Sequence, residues 1–467
     1  MKKTIVAMVG ALTLTTACKD SLSAPSQDQV VAGTAQPVQN LVTGIIAQDR
    51  ASASAFSYLL YPETLARNAI RIDPNEPRFI NELIGVPIDP SDFIGGSGWV
   101  GYYTEIRAAN QFIANPSLST LSAGDKAASI GFVQTMKALD YIRLEQLRDS
   151  LGESIQTAQT ATPDPLRTKT AVLAYISALL DSANTSLAAG SATVPFVVPP
   201  GFTGHGDYSS TPNLIAFNRG LKGEVEVYRG LDHAAPCSAC FATAITALNV
   251  ALAGDAGTAS SLQMGPYYQY QPAAPESFPN PLVDNHIYLT DNFANSIMAG
   301  DARASEIVTA ASASSTVSGL KLTKIDPITD PSNKSNLTNQ IPIIRDAELY
   351  LLRAQAEAES GNLAAATADV NVVHTVEGGL APYPLFPDVA TARQAILYET
   401  RYSMIYQGPY YLILLREYGL LTKAYVTQPG MPNVSSDPTH SNDPLQTVLP
   451  IPANEAAARG GNTTPKP

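Results

Sequence analysis

The sequence predicts a mostly α fold: helical hairpins stacked on one another, carrying long irregular loops and few short strands. Three observations predict it. Apolar residues recur at helical spacing in a series of stretches along the 467-residue chain. Two neighbouring sets of stretches read as antiparallel helix pairs, one joined by a tight turn at Gly361-Asn362. The stretches are separated by intervals punctuated with proline and glycine, 35 and 31 residues respectively, while 45% of the chain is hydrophobic and can supply a large core.

In chain order, residues 38–61 are Ala- and Leu-rich with Val42, Ile45, Ile46, Phe56 and Leu59 on one face, and read as helix. Residues 62–97 read as loop. Trp99, Tyr103, Ile106 and Asn110 then recur at helical spacing, and Asn115-Pro116 ends that helix. The longest periodic stretch runs over 126–151 and stops at Gly152. Further helices are expected over 170–187, 213–229, 240–252, 345–360, 363–373, 391–406 and 410–418, with 341–344 the best short strand. A lone antiparallel pair cannot bury both faces, so pairs of this kind stack, as in tetratricopeptide repeats. An unrelated helical bundle would share the same periodicity.

The N-terminus reads as an export signal. Lys2 and Lys3 precede a short apolar run, TIVAMVGALTL, and the small residues Thr15, Thr16 and Ala17. This makes 1–17 a signal peptide, too short to span a bilayer comfortably. Cys18 follows directly, an arrangement that resembles the bacterial lipobox. The resemblance implies that Cys18 carries the lipid, a palmitate-type acyl chain; the alternative is an ordinary signal peptide with an incidental cysteine. Residues 18–36 are expected to be a flexible Ser-, Ala- and Gln-rich tether and 37–467 one domain. An anionic chain gains nothing electrostatically from anionic lipid, so acyl chains must hold it at the membrane. The net charge of −12 likewise argues against nucleic acid, whose phosphates demand clustered Lys and Arg.

Catalytic patterns are absent. The five histidines sit in unlike contexts, and no HExxH, GxSxG, GxGxxG or Walker pattern occurs. Arg345, Glu348 and Arg353 read as a salt network on a helix face. Cys237 and Cys240, with His233 upstream, admit a zinc half-site, a redox motif or a disulfide. Zinc lacks enough ligands, a redox site lacks its strand–turn–helix context, and export favours a disulfide pinning the turn between two helices. No cofactor and no metal set is expected.

Several motifs, taken in order, resemble the SusD/RagB family of surface lipoproteins. Trp99-x3-Tyr103-x2-Ile106-x2-Ala109-Asn110 is similar to that family's early helix. Ile343 to Leu351, IIRDAELYL, resembles its RxAExYL helix, continued by Ala354 and Ala356, and Asp301-Ala302-Arg303 resembles the Asp-x-Arg before it. Pro450-Ile451-Pro452-x2-Glu455 resembles the near-terminal PIPxxE, with Asn462 following. Glu399, Arg401, Gly408, Leu414 and Arg416 match a further helix in part, where Ser403, Gln407, Tyr410 and Ile413 replace charged residues. The resemblance implies a SusD-type domain over 37–467 with its ligand face on loops. It also implies a non-enzymatic, nutrient-binding lipoprotein at the surface of the outer membrane, partnered by a SusC-like TonB-dependent transporter. Its ligand would be an oligosaccharide or another nutrient oligomer. A surface glycoside hydrolase and a helical-repeat scaffold are the alternatives.

The ligand residues are sought among loop aromatics, because sugar rings present apolar C–H faces to flat partners and tyrosine adds a polar handle. Residues 265–290 concentrate Tyr267, Tyr268, Tyr270, Phe278, His286 and Tyr288 without helical period. The expectation is a neutral glycan docking on Tyr268, Tyr270 and Tyr288, with Asn285 and His286 as hydrogen-bonding neighbours. Trp99, inside a helix motif, is assigned to the core.

Overall fold

The computed structural model describes residues 38–155, 163–199, 202, 204–274, 277–432, 434 and 444–467. The expected signal peptide 1–17, the lipidation expected at Cys18 and the expected tether 18–36 lie outside the described residues.

Among the described residues, ten long helices carry the architecture. Helix α1 (Val38–Ala53) packs on α2 (Val100–Ile113), and α2 packs on α3 (Ala123–Arg148). Four antiparallel hairpins follow: α3 with α4 (Lys169–Ala188), α5 (Thr211–Leu231) with α6 (Ser238–Ala251), α7 (Asp346–Glu359) with α8 (Leu363–Val376), and α9 (Val389–Ser403) with α10 (Tyr410–Glu417). Contacts of α4 with α5, of α6 with α7, and of both α7 and α8 with α9 make the hairpins one continuous stack.

Local chemistry explains the ends. The side chains of Ser122, Thr168, Asn362 and Asp388 accept backbone N–H groups in the first turns of α3, α4, α8 and α9, satisfying donors that have no intrahelical partner. Gly361, at φ 82°, turns the chain between α7 and α8. Gly223 lets α5 approach α6: a Cβ there would stand 2.3 Å from Leu248 Cγ. Cys237 and Cys240 form a disulfide at the α5–α6 turn, with Cα atoms 5.3 Å apart.

Short strands hold the loops. Strand β1 (Ala69–Arg71), β3 (Ile287–Leu289), β5 (Lys324–Ile325) and β4 (Val308–Thr309) form an antiparallel sheet in that order, and β2 (Tyr267–Tyr268) pairs with β6 (Ile341–Pro342). All six lie outside the hairpin stack in sequence. The sheet therefore ties together two distant loops, 66–97 and 252–345.

Several expectations change in detail. The helix expected over 38–61 ends at Ala53, because Ala55 is extended (φ −78°, ψ 150°) and Ser54 turns its hydroxyl to Tyr270, 2.7 Å away. Arg345, Glu348 and Arg353 do not form a network along one face. Arg345 pairs with Glu377 and Arg353 with Asp369, across helices. Trp99 is buried against Tyr103, with ring centroids 4.9 Å apart.

Candidate functional site

The segment 265–290 does not lie open on the surface. Its start is drawn into the molecule by the β2–β6 pairing, and its end by the pairing of Tyr288 with Ile70 in the larger sheet. Tyr268 is 4% exposed and donates its hydroxyl to Asp49 Oδ2 at 2.6 Å, while Arg143 bonds both Tyr268 and Asp49. Tyr270 is buried and stacked near Phe278, with centroids 6.0 Å apart and an interplanar angle of 14°. Tyr288 is buried as well. The assignment of these three tyrosines as sugar platforms is therefore corrected for this conformation. Backbone pairing turns the segment inward, and the rings wall the core. Asn285 remains exposed and His286 half-buried.

Those two residues adjoin a row of cations and rings that sequence reasoning missed. His286 Nδ1 lies 2.8 Å from Asp284 Oδ1, and Asp284 Oδ2 accepts Arg71 Nε at 2.7 Å. Burial drives the Asp284 carboxyl up, but the Arg71 bond and the His286 N–H together outweigh it and hold the group below the usual range. Arg71 stands 4.5 Å from the Phe79 centroid and 5.8 Å from that of Phe56. Phe79 meets Phe56 and Phe93 edge to face, at 6.2 and 5.5 Å. Arg78 covers one face of Phe93 at 4.5 Å and is held by a two-point contact to Glu76, at 2.6 and 2.7 Å.

Phe93 differs from every other ring. Among the described residues it is the one Phe, Tyr or Trp with an exposed side chain, at 44%. It borders a cleft of ≈ 410 Å³ lined also by Ser91, Asp92, Trp99, Asn454 and Glu455. Asp92 Oδ1 accepts the N–H groups of Ile94 and Gly95, which fixes the turn that presents Phe93. Neighbouring Glu82 is pushed up to about 7, first by burial and then by Asp92. Nothing periodic marked Phe93. Its only sequence signal is a lone aromatic between Asp92 and the Ile94-Gly95-Gly96 turn.

A larger groove of ≈ 740 Å³ lies by α9 and α10, walled by Tyr383, Tyr398, Tyr402, Tyr411 and Tyr425. Its tyrosine hydroxyls are engaged: Tyr398 with Asp301, Tyr402 with the Phe293 carbonyl and Tyr425 with the Ala66 carbonyl. Its exposed rim mixes Leu385, at 65%, and Met298, at 39%, with the polar Thr391, Gln394, Thr422 and Gln428. Volume favours this groove; an exposed aromatic ring favours the Phe93 cleft.

Comparison with known proteins agrees with this architecture. Residues 308–461 match the SusD family model. A SusD-like protein from Bacteroides fragilis is similar over 94% of this chain and 99% of its own, with TM-score 0.67 and 15% identity. The fold is SusD-like, and residues 308–461 carry the SusD family's sequence pattern. A SusD superfamily protein from Bacteroides thetaiotaomicron is similar to it with TM-score 0.66 and 14% identity, over 91% of this chain and 98% of that one. A SusD-like carbohydrate binding protein from Bacteroides vulgatus gives TM-score 0.57 and 16% identity over 80% and 82%. No curated protein sequence matches. In this chain the residues of the SusD-like motifs serve architecture. Arg303 of the Asp-x-Arg motif joins Asp301 (2.7 Å) to Glu399 (2.9 Å), and Arg345, which opens α7, donates to the Ser403 carbonyl at 2.7 Å.

Proposed function

We propose that the protein is a non-enzymatic, cell-surface lipoprotein that captures a neutral oligosaccharide and passes it to a SusC-like TonB-dependent transporter in the outer membrane. In this reading 1–17 is the signal peptide, Cys18 carries the lipid, 18–36 is the tether and 37–467 the binding domain. The exposed Phe93 ring carries the assignment of the ligand site. An apolar ring left in water beside a cleft, with Arg78, Asp92 and Asn454 around it, supplies what a sugar needs: a flat partner for C–H faces and hydrogen bonds for hydroxyls. Asn285 and His286 extend that surface through Asp284 and Arg71. The net charge of −12 favours neutral ligands, because an anionic polymer meets like charge on approach.

Native affinity electrophoresis against a panel of neutral polysaccharides tests the reading. The wild-type protein should be retarded without releasing reducing sugar. Phe93→Ala should weaken retardation about tenfold, which corresponds to ~1.4 kcal/mol, with an unchanged circular dichroism spectrum. Gln394→Ala, in the larger groove, should bind as wild type. If Gln394→Ala weakens binding and Phe93→Ala does not, the site belongs in the groove. Release of product by the wild type would favour the hydrolase reading. Cys18→Ala should move the protein from the membrane to the soluble fraction.

A further inference from the structure

Helices α1, α2 and α3 meet at three carboxylates: Asp49, Glu105 and Asp140. All three residues are 0% exposed, and one oxygen from each lies within 4.8 Å of the others. Asp49 is satisfied, by Arg143 and by the Tyr268 hydroxyl. Glu105 and Asp140 are not. Both oxygens of each are buried with no N–H or hydroxyl donor, so the two carboxyls face only each other. Unpaired buried carboxylates are costly, and native proteins retain them only where something compensates the charge.

The charge count says what is missing. Ionised together, the three carboxylates and one guanidinium would leave two uncompensated negative charges in a fully buried site. The spacing says how it is met. Oxygens bound to one ion at 2.3–2.6 Å stand no more than about 5 Å apart across it, and the three carboxylates satisfy that limit. We propose that Asp49, Glu105 and Asp140 bind one hard divalent cation, with calcium the best fit. The donors are all oxygen, which disfavours zinc and copper. Full burial disfavours magnesium, which keeps several of its own waters, whereas calcium accepts bidentate carboxylates. The ion would join three helices that otherwise bring like charges together. Through Asp49 and Tyr268 it would also anchor the start of the 265–290 segment. This site is separate from the Phe93 cleft and does not depend on the glycan reading.

Metal analysis of the purified protein tests it, with calcium itself as the probe. The wild-type chain, refolded with calcium and desalted, should retain one equivalent by elemental analysis. Its melting temperature should be at least about 3 °C higher than after refolding in a chelator, and calcium should restore the difference where sodium does not. The near-isosteric pair Glu105→Gln with Asp140→Asn should hold no calcium and melt at the same temperature with or without it. A wild-type protein that retains no divalent metal, and melts identically in calcium and chelator, overturns the site and leaves protons to neutralise the cluster. Retention of a full equivalent by the double variant would place the ion elsewhere and overturn it too. Glycan retardation, measured in parallel, reports on the Phe93 cleft alone.

Discussion

At Phe93 a hydrophobic ring stays in water while Phe79 and Phe56, its neighbours in the same row, are covered or half-covered. Burial of apolar surface is worth about 25 cal/mol per Å², so the turn built by Asp92 forgoes stability to present that ring. Tyr268 illustrates the opposite economy. Its hydroxyl donates a hydrogen bond to one oxygen of a fully buried carboxylate, and Tyr268→Phe should cost about 1–3 kcal/mol in urea unfolding while glycan retardation is unchanged. A larger loss of glycan binding than of stability would return Tyr268 to the ligand site. The two rings show what a sequence conveys about a site. Residue type marked Tyr268 as a candidate, but its exposure depends on a strand pairing with residues more than seventy positions away. Asn285 and His286 stay at or near the surface beside Asp284. The exposure of Phe93 was not legible, since a single loop aromatic has no period to read.

Among elements, the helices were legible nearly to their ends. Helices α4 through α10 follow the apolar period closely, because each buries one face against a neighbour and the period records that face. The exception is the first helix, which breaks at Ser54 for a hydrogen bond to Tyr270 that no local pattern encodes. The strands were nearly invisible. Pieces of two or three residues in loops carry too few positions for alternation to register. The α5–α6 hairpin yields two further predictions. The Cys237–Cys240 disulfide closes a very short loop, so Cys237→Ser with Cys240→Ser should lower stability by about 2 kcal/mol or less and leave ligand binding intact. Gly223→Ala should be more damaging, by about 1–3 kcal/mol, since the new Cβ would collide with Leu248 unless the two helices separate. Chemical denaturation measures both, and a Gly223→Ala chain as stable as wild type would show that the hairpin can open at no cost.

Across the whole molecule, buried carboxyl groups set the response to pH. Glu63 and Glu145 are pushed up to about 7, chiefly by burial, and Asp346 to about 8 by burial and the nearby Asp255. Each holds a proton in the folded chain at pH values where the unfolded chain has released it. The folded state then binds more protons, so their contribution to stability is greatest below the unfolded pKa and is lost as pH rises through 7 to 8. Asp284 and Asp301 act in the other direction, since hydrogen bonds with arginine hold them low and their stabilisation fades as pH falls through the acid range. The urea midpoint should therefore be higher at about pH 5.5 than at about pH 8.5. A midpoint that rises with pH over this range would mean that these groups are ionised in the folded protein.

The hairpin stack is continuous in space but not along the chain. Residues 252–345 intervene between α6 and α7, although these helices pack directly on each other. A polypeptide made from its N-terminus therefore completes α5 and α6, disulfide included, while the surface meant for α7 still faces solvent. That surface, which includes Asn249, the partner of Arg353 in α7, stays uncovered until the intervening loops have been synthesised. Contacts that must wait for distant sequence form slowly and expose apolar area meanwhile. Premature termination anywhere in 252–345 leaves a fragment with an open helix face, the form most prone to aggregate during biogenesis.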